Sequence, residues 1–287
     1  MQYRLLSHTS RPLCAAFVKS LYLLKNDGAP SIYGCVPNGE LGISLIINGS
    51  AKTREEASWT KNPHASVYGM IQAVQFHKME HGYEEFNIGF KPYIFSCFLP
   101  HSMASIEKRK NNRLDDLFTK EEKERLYDEV SNARTDDALL DATESFLARN
   151  LRFDAPDPRL LFATKRLDQD LGLRIEDLSK ELNLSSATLR NLFREHVGLS
   201  PKEYTRILRI KKALQTGNQN EESLAAMAFD LGYYDQAHFN HDFKLAIGLS
   251  PGNYFKRQEL VFDFYKYERW SYASFGLDLI PTHAPNQ

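Results

Sequence analysis

Cysteine is scarce here. Cys14, Cys35 and Cys97 are the three present in 287 residues, an odd number with no close pairing. That argues against a disulfide framework or a paired-cysteine metal site, and predicts reduced core thiols in a reducing compartment. No run of about 18 apolar residues occurs, so no membrane-spanning helix is expected. The opening MQYRLLSHTSRPLCAAF has no signal-peptide core, which makes the expectation a cytoplasmic protein with no membrane partner. There is little excess charge: the net value is -1, so bulk composition announces no nucleic-acid partner. No glycine-rich phosphate loop and no nucleophile elbow is present, so no enzymatic activity and no cofactor are expected.

What is there is globular in balance, 42% hydrophobic and 25% charged, in a length that suits about two domains. The texture to about residue 105 is that of strands. LGISLIIN (41–48) is apolar and β-branched and follows the turn-like Pro37-Asn38-Gly39; VYGMIQAVQF (67–76) and EFNIGFKPYIFSCFL (85–99) continue it around an HGYEE turn. From Leu114 to Leu151 the pattern turns helical, with Thr119 and Thr135 as expected N-caps before acidic first turns. RFDAPDPR (152–159), with Pro156 and Pro158, is the expected boundary. The predicted fold class is an α+β N-terminal domain, β-rich with following helices, and an all-α C-terminal domain. The expected divisions are a regulatory and dimerisation domain at 1–154, a helical domain at 155–258 and an aromatic-rich extension at 259–287.

One word is written twice. GLSPKEY (198–204) returns as GLSPGNY (248–254). Gly198 suits the left-handed residue that ends a helix, Ser200 an N-cap, and Pro201 the first helical position, where its missing N–H costs nothing. Glu203 completes a capping box, and Leu199 with Tyr204 a hydrophobic staple; Leu249 and Tyr254 repeat the staple. Upstream, EDLSKELNLSSATL (176–189) parallels SLAAMAFDLGYYDQAHF (223–239), with one extra residue in the second turn. Each reads as helix, tight turn at Asn183 or Gly232, helix. That is a helix-turn-helix pattern repeated across a long connecting helix, YTRILRIKKALQ (204–215). Basic residues cluster here: Arg190, Arg194, Lys202, Arg206, Arg209, Lys211 and Lys212 stand against Glu195 and Glu203. This is a local footprint for phosphate.

With the ending FKLAIGLSPGNY, Phe243 to Tyr254, and LGYYDQAHFNHDFK before it, residues 157–257 resemble the AraC/XylS-type bacterial transcription regulators. Tyr234 departs from that pattern, where a small hydroxyl residue is commoner; Asp235 is the alternative cap. The PNGELGISLIINGS segment resembles the β-rich sensor halves of one branch of these regulators. The resemblance implies double-stranded DNA as partner, control by a small-molecule effector, RNA polymerase as a partner if the protein activates, and a homodimer.

If Leu189, Leu192 and Phe193 face inward, then Ser186, Ala187, Arg190, Asn191 and Arg194 face out. In the second unit Phe239 and Phe243 face inward, leaving Gln236, Ala237, Asn240, His241 and Lys244. Ser186, Ala187, Arg190, Asn191, Gln236, Ala237, Asn240 and His241 are the expected base readers. Arg194, Lys211, Lys212 and Lys244 are the expected phosphate contacts. Two units should address successive major-groove segments, about 34 Å apart.

Other chemistries compete for parts of the chain. His77 to His81 match H-x-x-E-H, which binds zinc only on a helix, whereas the run around it is strand-like; surface histidines at a strand end, and no metal, are expected. The thiols would need an activating neighbour to sense oxidants or take an alkyl group. Tyr33, Phe76, Phe86, Phe90, Tyr93 and Phe95 line a ligand pocket in one reading and fill a sheet core in the other. An N-terminal half that recruits a protein partner or only dimerises is the alternative to a sensor, and an enzyme fused to a DNA-binding module a more distant one. The tail at 259–287 is expected to pack on its own chain or on a partner subunit.

Overall fold

The computed structural model describes residues 2–55, 58–98, 103, 114, 117–152, 157–217 and 223–256. Its N-terminal part is built from β1 (Gln2–Leu5), β2 (Val18–Asn26), β3 (Ser31–Cys35), β4 (Leu41–Asn48), β5 (Ala51–Glu55), β6 (Ser58–Lys61), β7 (Ala65–Tyr68), β8 (Gln75–Met79) and β9 (Tyr83–Phe90). One antiparallel sheet runs β1-β2-β9-β4-β7, the other β3-β8-β5-β6. Register divides the faces of the first sheet. Leu21 and Ile43 both pair with Ile88, and Leu23 and Leu45 with Phe86, so one face is wholly apolar. It packs on the helices α1 (Pro12–Phe17), α2 (Lys120–Asn132) and α3 (Asp136–Asn150), sharing a core with Leu126, Val130, Phe146 and Leu147. The opposite face sets Leu24 and Ile46 against Tyr33, Ala51 and Met79 of the second sheet.

That inner layer is also polar. Ser44 and Tyr22 both pair with Asn87, and Ile46 and Leu24 with Glu85. Ser44 Oγ donates to the Glu85 carboxylate. Burial pushes the Glu85 carboxyl above its ordinary range, with hydrogen bonds from Ser44 and Tyr83 partly opposing it.

The expected caps form: Thr119 accepts from Glu122 N and Thr135 from Ala138 N, both at 3.2 Å. Two of the strand readings are corrected. Residues 69–74 lie between β7 and β8 and pair with neither; Val74 N donates instead to Ala246 O in the helical part, at 2.7 Å. After Phe90 the chain meets Pro92, which cannot extend the ladder, and coils into a 3-10 turn (Phe95–Phe98) that buries Phe95, Cys97 and Phe98.

The helical part comprises α4 (Pro158–Gln169), α5 (Ile175–Glu181), α6 (Ser186–His196), α7 (Pro201–Thr216), α8 (Leu224–Asp230), α9 (Gln236–Ile247) and α10 (Pro251–Lys256). Pro158 stands at the start of α4 behind Asp157, whose carboxylate accepts from Arg159 N. The core begun under the first sheet continues through Leu160, Leu178, Leu189, Phe193, Tyr204 and Ile207. A second core holds Ile210, Leu214, Phe239, Phe243 and Tyr254, and Val36 of the β-rich part inserts into it. No described helix is long and apolar enough to cross a membrane. The extension at 259–287 lies outside the described residues.

The competing chemistries meet specific geometry. His77 lies in β8, not on a helix, half-buried and stacked on Tyr33 at 5.1 Å with Nδ1 3.0 Å from Thr53 Oγ1. Burial lowers its pKa to about 4. His81 faces Gly28 O at 3.0 Å, and no cluster that could hold a metal occurs among the described residues. Burial, reinforced by Glu144, pushes the Cys14 thiol up to about 12, and burial raises Cys35 as well, the reverse of activation. Phe86, Phe90 and Phe95 are core.

Candidate nucleic-acid interface

The decoded word is built as its letters dictate. Gly198 takes φ +91° and Gly248 φ +82°. Gly198 N donates to Phe193 O at 3.1 Å, closing α6. Ser200 and Glu203 form the reciprocal capping box at the start of α7. Leu199 and Tyr204 are both buried, and Tyr204 lies 5.8 Å from the Phe193 ring. In the second copy Tyr254 sits 5.4 Å from Phe243.

Each pair of helices turns at a left-handed residue, Asn183 at φ +53° and Gly232 at φ +75°. The turns share one hydrogen bond at one length: Leu184 N to Ser179 O and Tyr233 N to Ala228 O, both 2.9 Å. Ser185 then caps α6 by accepting from Thr188 N at 3.0 Å. Asp235 caps α9, accepting from His238 N at 2.7 Å, so it does the work left undone by Tyr234.

Leu189 and Phe193 are buried on α6, as are Phe239 and Phe243 on α9; Leu192 is half-buried. Ala187, Arg190, Asn191 and Arg194 stand in solvent, with Ser186 half-covered. On α9, Gln236, Ala237, His241 and Lys244 are exposed, and Asn240 is half-buried with its Oδ1 turned inward. Asn240 is therefore the least available of the expected readers.

The basic stretch divides in a way its spacing does not reveal. Arg206 Nη2 donates to Gln72 Oε1 of the β-rich part at 3.1 Å. Arg209 donates through Nε and Nη2 to Leu171 O, at 3.0 and 2.7 Å, and stands 4.8 Å from the Tyr233 ring centre. Lys211 is turned against Lys19 and Glu40. Arg190, Arg194, Lys202 and Lys212 are left in solvent. Lys211, expected at phosphate, is half-buried here: the β-rich part covers that side of α7, with Gly39 against Ile207 and Leu208. A cleft of about 870 Å³ between the two units carries Asp168, Asp170 and Asp230 beside Lys211 and Lys212, a mixed charge unlike a phosphate groove.

Burial lowers the Lys211 pKa to about 8, and the positive charge of Lys19 adds to it. In the unfolded chain the value is about 10.4. Between these two values the unfolded chain holds a proton that the folded one has lost, so this group makes stability rise with pH from about 8 to about 10.4. Urea midpoints of the wild type should climb across that window relative to Lys211→Met, which has no such proton. Parallel curves for the two would contradict this placement of Lys211.

The joint between the units is glycine on glycine. A Cβ at Gly232 would lie 2.6 Å from Gly172 Cα and 2.8 Å from Leu171 O. Composition and charge gave no hint of this seam, though LGL (171–173) and LGY (231–233) are similar words.

Comparison with known proteins agrees over the helical part. Residues 178–257 match the helix-turn-helix domain family. An uncharacterized HTH-type transcriptional regulator of Haemophilus influenzae is 30% identical over 120 residues, 41% of this chain and 40% of its own length. The HTH-type transcriptional activator RhaS of Escherichia fergusonii is 28% identical over 138 residues, 47% of this chain and 46% of its own. The chain thus spans less than half the length of these curated relatives. The crystal structure of ToxT from Vibrio cholerae aligns with 88% of this chain and 97% of that one, at 14% identity and a TM-score of 0.44. Both of these relatives carry names of transcription regulators. The chain carries an AraC-type helix-turn-helix domain at its C-terminal end, and its homologues are regulators of the AraC/XylS family.

Proposed function

We propose that the protein is a sequence-specific DNA-binding transcription regulator that reads two successive major-groove segments with α6 and α9. The observation that carries this reading is the doubled unit: two capped helices, each backed by a buried apolar face and each offering a different solvated polar set. Different sets imply an asymmetric site even for one subunit. Arg190 is assigned to guanine, with Asn191, Gln236 and, less favourably, Asn240 for adenine; Ser186, Ala187, Ala237 and His241 complete the base-facing set. Arg194, Lys212 and Lys244 are assigned to phosphate, with Lys202 added by its exposure.

The test is selection of bound sequences from a random duplex pool, followed by titration. Arg190→Ala should cost about 1–3 kcal/mol on the selected site and relax the choice at one base pair. Lys212→Ala should weaken all sequences alike and flatten the salt slope by about one, whereas Lys211→Ala should leave that slope unchanged. A chain that selects no sequence would end this reading.

Control by a small-molecule effector in the β-rich part deepens the proposal. Its support is a polar layer between two sheets, Ser44, Glu85, Asn87 and Tyr22, where Tyr68 Oη and Asn87 Nδ2 are buried without a hydrogen bond of good geometry. A short chain of contacts leads from there to α7. Ser20 Oγ donates to Glu40 Oε2 at 3.2 Å, Glu40 lies 3.8 Å from Lys19 Nζ, and Lys19 faces Lys211. A thermal-shift screen of metabolites on the full chain tests this, and a hit should change DNA affinity in the wild type more than in Glu40→Gln.

A further inference from the structure

We propose that the Tyr234 hydroxyl donates a hydrogen bond to a backbone phosphate at the lip of the second recognition segment, fixing how α9 seats in the groove. This contact rests on the DNA-reading function above. The two turns superpose in their bonding up to Leu184 and Tyr233, which donate to equivalent carbonyls at the same 2.9 Å. The first turn then passes directly to its cap, Ser185, while the second inserts Tyr234 before its cap, Asp235. The inserted residue has no place in the fold and is extruded.

Tyr234 is 94% exposed, the most exposed large side chain of the described hydrophobics. Its neighbour Tyr233 is buried under Arg209 and Phe239, so the two adjacent rings have opposite fates. The turn closes on its Asp235 cap without the Tyr234 ring, whose hydroxyl is left in solvent where it can meet a ligand.

Its location says what. Tyr234 leaves the chain two residues before Gln236, beside the N-terminal end of the recognition helix, the end that approaches base edges. It sits on the turn rather than on the helix face, which places it at the groove edge where the phosphates run. Tyrosine is a neutral donor there, and the Asp235 carboxylate next to it is engaged by His238 N. The helix N-terminus adds favourable polarity for a phosphate. The first unit has no such residue, so the contact belongs to one segment only.

The experiment titrates full-length wild type, Tyr234→Phe and Tyr234→Ala against the selected duplex and against single-base variants of its second segment, at several salt concentrations. Losing one neutral hydrogen bond should weaken binding about two- to tenfold in both variants. The loss should be equal on every sequence, and the salt slope unchanged, because a neutral donor displaces no counterion. Melting temperatures should match the wild type. If Tyr234→Phe binds like the wild type, or loses selectivity at one base pair instead, the phosphate contact is wrong while the regulator reading stands. If the wild type itself selects no duplex, the reading fails and the contact with it.

Discussion

Replacing Gly232 by alanine is expected to destabilise the helical part by about 3 kcal/mol, through left-handed strain and an overpacked joint together. The residue sits at φ +75°, and a Cβ there would approach Gly172 N to 2.7 Å and Gly172 Cα to 2.6 Å. Both obstacles are backbone, so no side chain can swing away. The units must part, and DNA affinity should fall about tenfold or more, since α8 and α9 move as one piece. Gly172→Ala is the control: its Cβ would meet Asp170 Oδ1 at 3.4 Å and Gly232 Cα at 3.8 Å, which is tolerable. Urea unfolding of the two variants decides. Equal midpoints would show that the glycine contact does not join the units.

The second large effect concerns Arg209. Arg209→Ala should cost about 2–3 kcal/mol, because Leu171 O loses a charged fork and Tyr233 its cation. Burial lowers the pKa of this guanidinium, with Tyr233 and Asp242 opposing, as befits a cation held inside the seam. Lysine should not restore it, since one ammonium cannot reproduce two N–H bonds from a planar group at 3.0 and 2.7 Å. The consequence for DNA is specific. The wild type should lose much affinity when one segment of its site is scrambled, and Arg209→Ala should show a smaller difference between intact and half-scrambled sites. If both proteins discriminate equally, Arg209 contributes stability only.

Local chemistry was readable wherever it was decided within about five residues. The capping box at Ser200 and Glu203, the left-handed Gly198 and Gly248, the caps Thr119 and Thr135, and Asp235 in place of Tyr234 all stand as their letters imply. Periodicity identified the buried faces of α6 and α9 for the same reason: a helix repeats every few residues, and its apolar stripe must face a core. Strands were harder. VYGMIQAVQF has the composition of one strand, yet its middle leaves the sheet, because Val74 N finds a carbonyl 172 residues away on α9. His77 is half-buried in mid-strand, which its letters do not reveal: strand alternation says which residues share a face, not which face is covered.

The sequence by itself determined the doubled helix-turn-helix unit and the outward sets around Arg190 and Gln236, since caps, turns and amphipathic stripes are local properties. Only the tertiary structure decided the fate of the basic residues on α7. Arg206, Arg209 and Lys211 carry the same charge as Arg190, but long-range packing turns them to Gln72, Leu171 and Lys19 with Glu40. Sequence spacing can place a charge on a helix. Whether that charge meets solvent or another part of the chain depends on what packs against the helix, and the residues that pack here lie more than 30 positions away.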